Sequence, residues 1–224
     1  MILKRRVGPN RRDFGDEAEA RAGYEGQDVV SGLHGWYHEA CLNGNMFVAS
    51  GAAAGLALLV AHATNGNPTL WNPAGSDVYL EIIALELTYV GVLHCAPGSL
   101  YWYITNPAGS NIAATGSPII VFTNSAPVNC LLGSEKTSKA KWSCVAGDPD
   151  FAAAPSLLCN AGFSLATMED ASVPAPFTML RIYDGSLIIP PGVALTLGSS
   201  AATTTATFIP SIFYIETKMP KMLN

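Results

Sequence analysis

Short apolar, β-branched and aromatic runs follow one another from Met46 onwards, separated by Pro, Gly, Asn and Ser. The breaks recur at intervals of roughly ten residues, which is typical of a β-sandwich or β-barrel. The pattern predicts an all-β domain over residues 46–224, preceded by an N-terminal arm and leading segment over residues 1–45. The predicted strands are 56–62, 78–92, 99–104, 119–123, 129–132, 141–145, 162–167, 177–183, 186–189, 194–197 and 205–216.

The run VYLEIIALELTYV fits two periodicities. Val78, Ile82, Leu85 and Tyr89 would line one face of a helix, whereas apolar residues at every second position up to Ile82, and again from Ile83, fit a strand. The one-residue change of phase between Ile82 and Ile83 is what a β-bulge produces. A bulged strand is the favoured prediction, because the turn signal NPAGS directly precedes the run.

Prolines place two further constraints on the strands. Pro190 and Pro191 cannot donate to a central ladder, so they should end one strand, and Gly192 should turn the chain into the next. Pro210 stands in the middle of the last run, 205–216, which predicts a bulged or edge strand there.

The pentapeptide NPAGS occurs twice, at 72–76 and at 106–110, and the flanking residues of the two copies are not similar. Asn-Pro-Ala-Gly fits the four positions of a type I turn, with Asn capping the first position, Pro at the second and Gly at the fourth. The repeat therefore predicts one kind of bend used twice, not a duplicated functional unit.

Charged residues are scarce and unevenly placed. They make up 13% of the chain, against roughly 25% in an average globular protein. No Lys or Arg occurs between positions 22 and 135. Charged side chains normally cover the outside of a soluble protein, and interface cores are depleted in charge. The composition therefore predicts that copies of the same chain or a larger assembly cover this protein; an unusually neutral monomer is the alternative.

Six of the twelve Lys and Arg residues fall in the first 21 positions. The net charge of −5 argues against nucleic-acid binding by the body of the protein, because phosphate contacts require clustered cations. The basic cluster predicts an arm that docks on an acidic partner, and a solvated tail is the alternative. The candidate contact residues of the arm are Lys4, Arg5, Arg6, Arg11 and Arg12.

The N-terminus and the cysteines indicate synthesis in a cytosol. MILKRR starts with charge, and no apolar core of a signal peptide follows it before Gly8 and Pro9. The Ala- and Gly-rich segment 46–63 contains Ser50 and His62 and has no basic flanks, which disfavours a membrane span. Five cysteines without an export signal predict reduced, mostly buried thiols, with a bridge between Cys130 and Cys144 left open.

Candidate catalytic and metal-binding residues are few. His34, His38 and Cys41 would share one face of a helix and could ligate a metal there, but nearby glycines disfavour a helix, and aromatic packing is the alternative. The chain has no G-x-S-x-G motif, and His94 and Cys95, as neighbours in a strand, would point to opposite faces. We therefore predict no catalytic residue, no metal and no other cofactor.

Two further groups of residues have both a structural and a functional interpretation. Asp148 with Asp150, and Glu169 with Asp170, suit ordinary turns, a weak Ca²⁺ site or the paired carboxylates of a sugar hydrolase. Aromatic residues would either fill the packing between strands or form a sugar-binding platform. The aromatic residues concerned are Trp71, Tyr101, Trp102, Tyr103 and Trp142.

Several phrases of the sequence resemble head decoration or cement proteins of tailed bacteriophages. They span roughly residues 46–217 and are NPTLWNPAGSDVYLEI, APGSLYWYI, TGSPIIVFTNSAPVN, SKAKW, FTMLRIYDGSLIIPPGVALTLGSS and FIPSIFYIE. The likeness is one of turns and strands and includes no catalytic signature.

This resemblance implies a jelly-roll-like antiparallel β-sandwich with an extended N-terminal arm. It implies a non-enzymatic capsid decoration protein, a homotrimer seated on the shell of the major capsid protein at the virion surface after assembly in the host cytoplasm. Neither nucleic acid nor a membrane is an implied partner. A receptor- or carbohydrate-binding β-sandwich of a phage tail or fibre is the alternative.

Overall fold

The computed structural model describes residues 37–59, 67–90, 98–104, 126–145, 156–165, 177–200 and 207–218. These residues form one short helix and eleven strands, and all of the strands lie within residues 39–224. The elements are α1 (His38–Leu42), β1 (Met46–Ser50), β2 (Leu56–Ala57), β3 (Thr69–Trp71), β4 (Val78–Tyr89), β5 (Gly98–Ile104), β6 (Val128–Asn129), β7 (Lys141–Ser143), β8 (Ser156–Leu165), β9 (Phe177–Ile189), β10 (Ala194–Ser199) and β11 (Thr207–Lys218).

The strands form two antiparallel sheets that pack against each other. Sheet 1 has the order β6-β1-β11-β4-β9, with β2 also paired to β11, and sheet 2 has the order β7-β3-β10-β5-β8. When the short strands β2, β6 and β7 are left out, the remaining strands can be renumbered in chain order from the first to the eighth. Sheet 1 then contains the first, eighth, third and sixth strands, and sheet 2 contains the second, seventh, fourth and fifth. The predicted all-β sandwich is confirmed, and its strand order is that of a jelly roll.

The core lies between the sheets and is filled by every second residue of the longer strands. In β4 the buried positions alternate with partly exposed ones on both sides of a single break in phase. Sheet 1 contributes Phe47, Leu85 and Ile212 to the core, and sheet 2 contributes Trp102 and Leu197. Each such side chain contributes about 1.5–3 kcal/mol by leaving water. The alternation along the strands thus becomes one continuous apolar layer.

The break in the phase of β4 is the predicted β-bulge, which is confirmed. Ile82 and Ala84 pair with consecutive residues of β11, so Ile83 is the extra residue. On the other side of β4, residues 183–186 of β9 are not paired with β4, and Asp184 among them has a φ of 47°. The turn-like sequence YDGS is therefore a bulge within one long strand, whereas the sequence predicted two separate strands, 177–183 and 186–189.

The two proline predictions have different outcomes. Pro190, Pro191 and Gly192 form the turn between β9 and β10, as predicted. Pro210, however, lies in β11 between β1 and β4, so the predicted edge position is wrong. The other predicted alternative, a bulge, is present in the pairing of β11 with β4, but its extra residue is Ile83 of β4. Gly51 follows the last residue of β1 and donates a hydrogen bond of 2.9 Å to the Pro210 carbonyl. Pro210 has no N–H with which to donate a hydrogen bond back to β1. The pairing of β11 with β1 therefore ends there, while its pairing with β4 continues.

The bend predicted for 72–76 is present but lies one residue later than expected. The Ser76 N–H donates to the Pro73 carbonyl at 3.1 Å, and Gly75 takes the third position with φ of 83°, as in a type II turn. The Asn72 side chain does not cap the turn. It donates to backbone carbonyls at the start of β4 and the end of β9. The second copy, 106–110, lies outside the described residues.

Two short strands, β1 and β3, were not among the predictions. The segment 46–63, weighed above as a membrane span, contains β1 and β2. No helix in the described part of the chain has the length and apolar character needed to cross a membrane. β1 has five residues and β3 has three, which is too few for an alternation of apolar and polar side chains to be recognised, especially next to Ala- and Gly-rich sequence. The predicted strand 119–123 and the basic arm lie outside the described residues.

Candidate interaction surface

Most of the candidate site residues weighed from the sequence lie outside the described ranges. These are the arm residues, His34, the His94–Cys95 pair and both acid pairs, that is Lys4, Arg5, Arg6, Arg11, Arg12, His34, His94, Cys95, Asp148, Asp150, Glu169 and Asp170. His38 and Cys41 lie in α1, a helix of five residues. Within the described ranges, no group of three or more His, Cys, Asp or Glu side chains is placed to hold a metal ion.

The aromatic residues weighed as a sugar platform are divided between the core and the surface. Trp102, Tyr103 and Trp142 are buried, whereas Trp71 and Tyr101 are partly exposed. Trp102 and Trp142 belong to the core cluster between the sheets. The structure thus does not bring the five rings together on one exposed surface. Three of the rings, Trp102, Tyr103 and Trp142, are buried and fit the interpretation as packing between strands.

The two buried tryptophans connect the sheets by hydrogen bonds. The Trp102 Nε1–H in sheet 2 donates to the Tyr183 hydroxyl in sheet 1 at 2.6 Å, and that hydroxyl donates to the Ala161 carbonyl at 2.9 Å. The Trp142 Nε1–H in sheet 2 donates to the Ser50 carbonyl in sheet 1 at 3.0 Å. Burial raises the pKa of Tyr183, partly offset by the bond from Trp102. These bonds fix one sheet relative to the other.

The cysteines of the described ranges are free thiols. Cys130 and Cys144, between which a bridge was left open, are not joined. Burial raises the pKa of the Cys144 thiol to about 12, whereas Cys159 is exposed. Because the thiolate is the reactive form, Cys144 is a poor nucleophile and a poor metal ligand. Neither thiol lies in a metal-binding group of described residues.

A row of apolar side chains crosses the outward side of sheet 1. The strand register places one residue from each of five strands side by side, and all five are at least partly exposed. The row is Val128, Val48, Phe213, Ala84 and Ile182. Together with Leu180 and Ile188 of β9, this row is termed the apolar face.

The apolar face is exposed at both edges of sheet 1, at Val128 of β6, with 60% of its surface exposed, and along β9. Leu180, Ile182 and Ile188 have 60%, 57% and 53% of their surface exposed. Among the described strands β9 pairs only with β4, so it is an edge strand, and it has 13 residues. Natural proteins protect edges of this length with charge, Pro or a covering element. A contiguous apolar surface on an edge indicates contact with another macromolecule.

Two carboxylates interrupt the apolar face. Glu81 and Glu86 of β4 are partly exposed, and each lies between an uncharged residue of β11 and an exposed apolar residue of β9. The Glu81 carboxylate reaches the β9 bulge, where an added Cβ on Gly185 would lie 3.7 Å from its Oε2. Because the residues paired beside the two carboxylates are uncharged, this face is apolar and carries negative charge.

The apolar face was missed by the sequence reasoning, although a signal for it exists. In FTMLRIYDGSLII, Met179, Leu187 and Ile189 point to the core, and Leu180 and Ile188 point outwards. A strand that is apolar on both sides is typical of one covered on both sides. The run alone does not show which residues of other strands lie beside it.

Comparison with protein-family models, curated proteins and solved structures finds no match to this chain. The fold is therefore defined by its own strand order and packing. The function is therefore inferred from the surface and from the sequence.

Proposed function

We propose that this protein is a non-enzymatic structural protein of a bacteriophage virion, a capsid decoration or cement protein that binds as a homotrimer between subunits of the major capsid protein. The observation that carries this proposal is the apolar face, because a sheet surface of this kind needs a partner to cover it. The proposed location is the capsid surface, reached after assembly in the host cytoplasm.

The fold is compatible with this function but does not select it. Jelly rolls occur in viral capsid proteins, in lectins and in cupins, so the function must be argued from the surface. The phrase FTMLRIYDGSLIIPPGVALTLGSS, which resembles decoration proteins, contains β9 and β10. The sequence likeness and the apolar face therefore involve the same strand.

The distribution of charge favours a protein that works within an assembly over one that works as a monomer. The chain has no Lys or Arg from position 22 to position 135, a stretch that includes β1 to β5. A capsid offers many equivalent sites, so a modest contact repeated over several subunits gives a large total stabilisation. A basic arm, Lys4, Arg5, Arg6, Arg11 and Arg12, would add attachment to acidic neighbours on the shell.

The alternative, a receptor- or carbohydrate-binding sandwich of a tail or fibre, needs exposed aromatic rings. Trp71 and Tyr101 are the two candidate rings that are partly exposed. Strong hits on a glycan array that disappear in Tyr101→Ala would favour this alternative. The buried Trp102 is unsuitable for the same test, because its replacement would disturb the core.

Co-sedimentation tests the capsid role. Phage particles that contain the protein should keep it at a fixed ratio to the major capsid protein through a density gradient. Particles stripped of it should rebind the purified full-length protein. A variant with the five arm residues changed to Gln should rebind at least about tenfold more weakly, because surface charge steers and orients docking.

The matched control is Lys218→Gln, which removes one exposed cation from the end of β11. It should rebind like the original protein, and both variants should keep the original melting temperature. Equal rebinding by the arm variant would exclude the arm as an attachment element. Protein that sediments with tails, or with no particle, would contradict the capsid role itself.

A further inference from the structure

Half of the Lys and Arg residues beyond position 21 lie within six positions, at Lys136, Lys139 and Lys141. They belong to the segment 132–141, here termed the lysine loop, which leads from β6 to the first residue of β7, Lys141, at the edge of the sandwich opposite β9. All three lysines are exposed. Leu132, in the same loop, has 89% of its surface exposed. The lysine loop thus presents one exposed apolar side chain and three exposed lysines, together with one exposed carboxylate, Glu135.

The lysine loop is held by a buried carboxylate. Glu216 Oε1 accepts hydrogen bonds from the Ser138 hydroxyl and the Lys139 N–H, both at 2.6 Å, and from the Ala140 N–H at 3.3 Å. The Asn129 side-chain amide donates to the Lys136 carbonyl at 3.3 Å. The backbone of a loop fixed in this way loses little conformational entropy on binding.

The apolar face has the complementary chemistry. It offers exposed aliphatic side chains for Leu132 and two carboxylates, Glu81 and Glu86, for the lysines. We propose that the lysine loop of one copy docks on the apolar face of the next copy of this chain. This inference deepens the self-association in the proposed function, and it does not depend on the capsid role.

The contact is head-to-tail, because each copy uses one surface to bind and a different surface to be bound. Five strands about 4.8 Å apart and about four rows of outward residues give the outward side of sheet 1, on which the apolar face lies, roughly 20 Å by 20 Å, or about 400 Å². A standard interface buries about 800 Å² per partner. One contact of this kind is therefore about half the standard size. In a closed ring, which repeated head-to-tail contacts form when the rotation fits, each copy makes two such contacts.

Charge reversal tests the contact. The native mass of three full-length variants would be measured by light scattering and sedimentation velocity at equal concentrations. Glu81→Lys/Glu86→Lys reverses the face, and Lys139→Glu/Lys141→Glu reverses the loop. Each should weaken association at least about tenfold, because like charges then meet across the contact. The variant with all four changes should recover association, because the charges again attract.

Leu132→Ser provides a test that leaves the fold unchanged, since this side chain is exposed and has no place in the core. It should weaken association about tenfold, whereas Leu157→Ser, an exposed leucine of similar chemistry on β8, should not. Near-ultraviolet circular dichroism and the melting temperature check that each variant is folded.

The outcomes separate the two proposals. A homo-oligomer that persists in both charge-reversed pairs and in Leu132→Ser, or a four-change variant that stays dissociated, would overturn the loop-to-face contact while leaving self-association intact. A chain that is monomeric at every concentration would overturn both the contact and the proposed trimer. Loss of association in each pair with recovery in the combination supports the contact.

Discussion

The buried side chain of Asn72 connects the start of β4 to the end of β9. Its Nδ2 donates to the Val78 carbonyl at 2.8 Å and to the Ile189 carbonyl at 3.0 Å. Its backbone N–H donates to the Val193 carbonyl at 3.0 Å, and its carbonyl accepts from the Gly192 N–H at 2.7 Å. Substitution of Asn72 by Ala removes only the two side-chain bonds, because the backbone pair does not depend on the side chain.

The expected loss for Asn72→Ala is about 2 kcal/mol, since each buried hydrogen bond contributes about 1 kcal/mol net. For a chain of 150–250 residues this corresponds to a fall in melting temperature of about 4–8 °C. Asn43→Ala is the matched control, because that asparagine is exposed, and its melting temperature should remain within about 1 °C of the original. All variants would be compared at one protein concentration, because association shifts the melting temperature.

Asn72→Asp provides a second, pH-dependent readout. A carboxylate cannot donate to the two carbonyls and would be buried without a cation, so the loss at pH 7 should reach about 3–5 kcal/mol. Burial would raise the pKa of this Asp, so the folded state would bind the proton more tightly, and the deficit should shrink as the pH falls towards about 4. If Asn72→Ala melts with the original protein, or if the Asp deficit does not change with pH, the reasoning is wrong.

Three further predictions concern the thiols and the packing at the end of β1. Burial raises the pKa of Cys144 from 9.0 to about 12, so the free energy of unfolding should fall as the pH rises above about 9, by at most about 1.4 kcal/mol per pH unit. Guanidinium titrations at several pH values should show a shallower fall for Cys144→Ala, and an unchanged slope would contradict this cause. A thiol reagent at pH 8 should modify Cys159 in the folded protein but Cys144 only after unfolding, as mass spectrometry of peptides would show. Gly51→Ala should cost about 1–3 kcal/mol, because the new Cβ would lie 3.0 Å from both Cys144 Sγ and Pro210 Cδ. The double variant with Cys144→Ala should recover part of that loss, and strict additivity of the two changes would show that this contact is absent.

The features predicted correctly from the sequence depend on short stretches of chain. The change of phase at Ile83 placed the bulge in β4, and Pro190, Pro191 and Gly192 placed the turn into β10. Alternation of side chains and the restricted φ of Pro act over a few residues, so they can be read without knowing the partner strands. The same local reasoning placed the NPAGS bend, although one residue too early.

The errors and omissions concern contacts between distant residues. Pro210 is tolerated in a central strand only because its missing donor faces the end of β1, at Gly51. The side chain of Asn72 bonds across 117 residues to Ile189, so no local turn rule could predict that role. Trp102 is a link between sheets and not a surface ring, because β5 and β9 lie opposite each other in the sandwich.

The candidate surface shows the same division. Sequence alone determined that the protein is an all-β sandwich and that it has fewer charged residues than the surface of a soluble protein normally carries. Composition and the period of side-chain alternation are properties of the chain itself. Only the tertiary structure decided that Val48, Ala84, Ile182 and Phe213 form one row, and that Leu132 and three lysines stand at the opposite edge. Strand order and register bring together residues that are far apart in sequence, and local pattern does not encode which strands become neighbours.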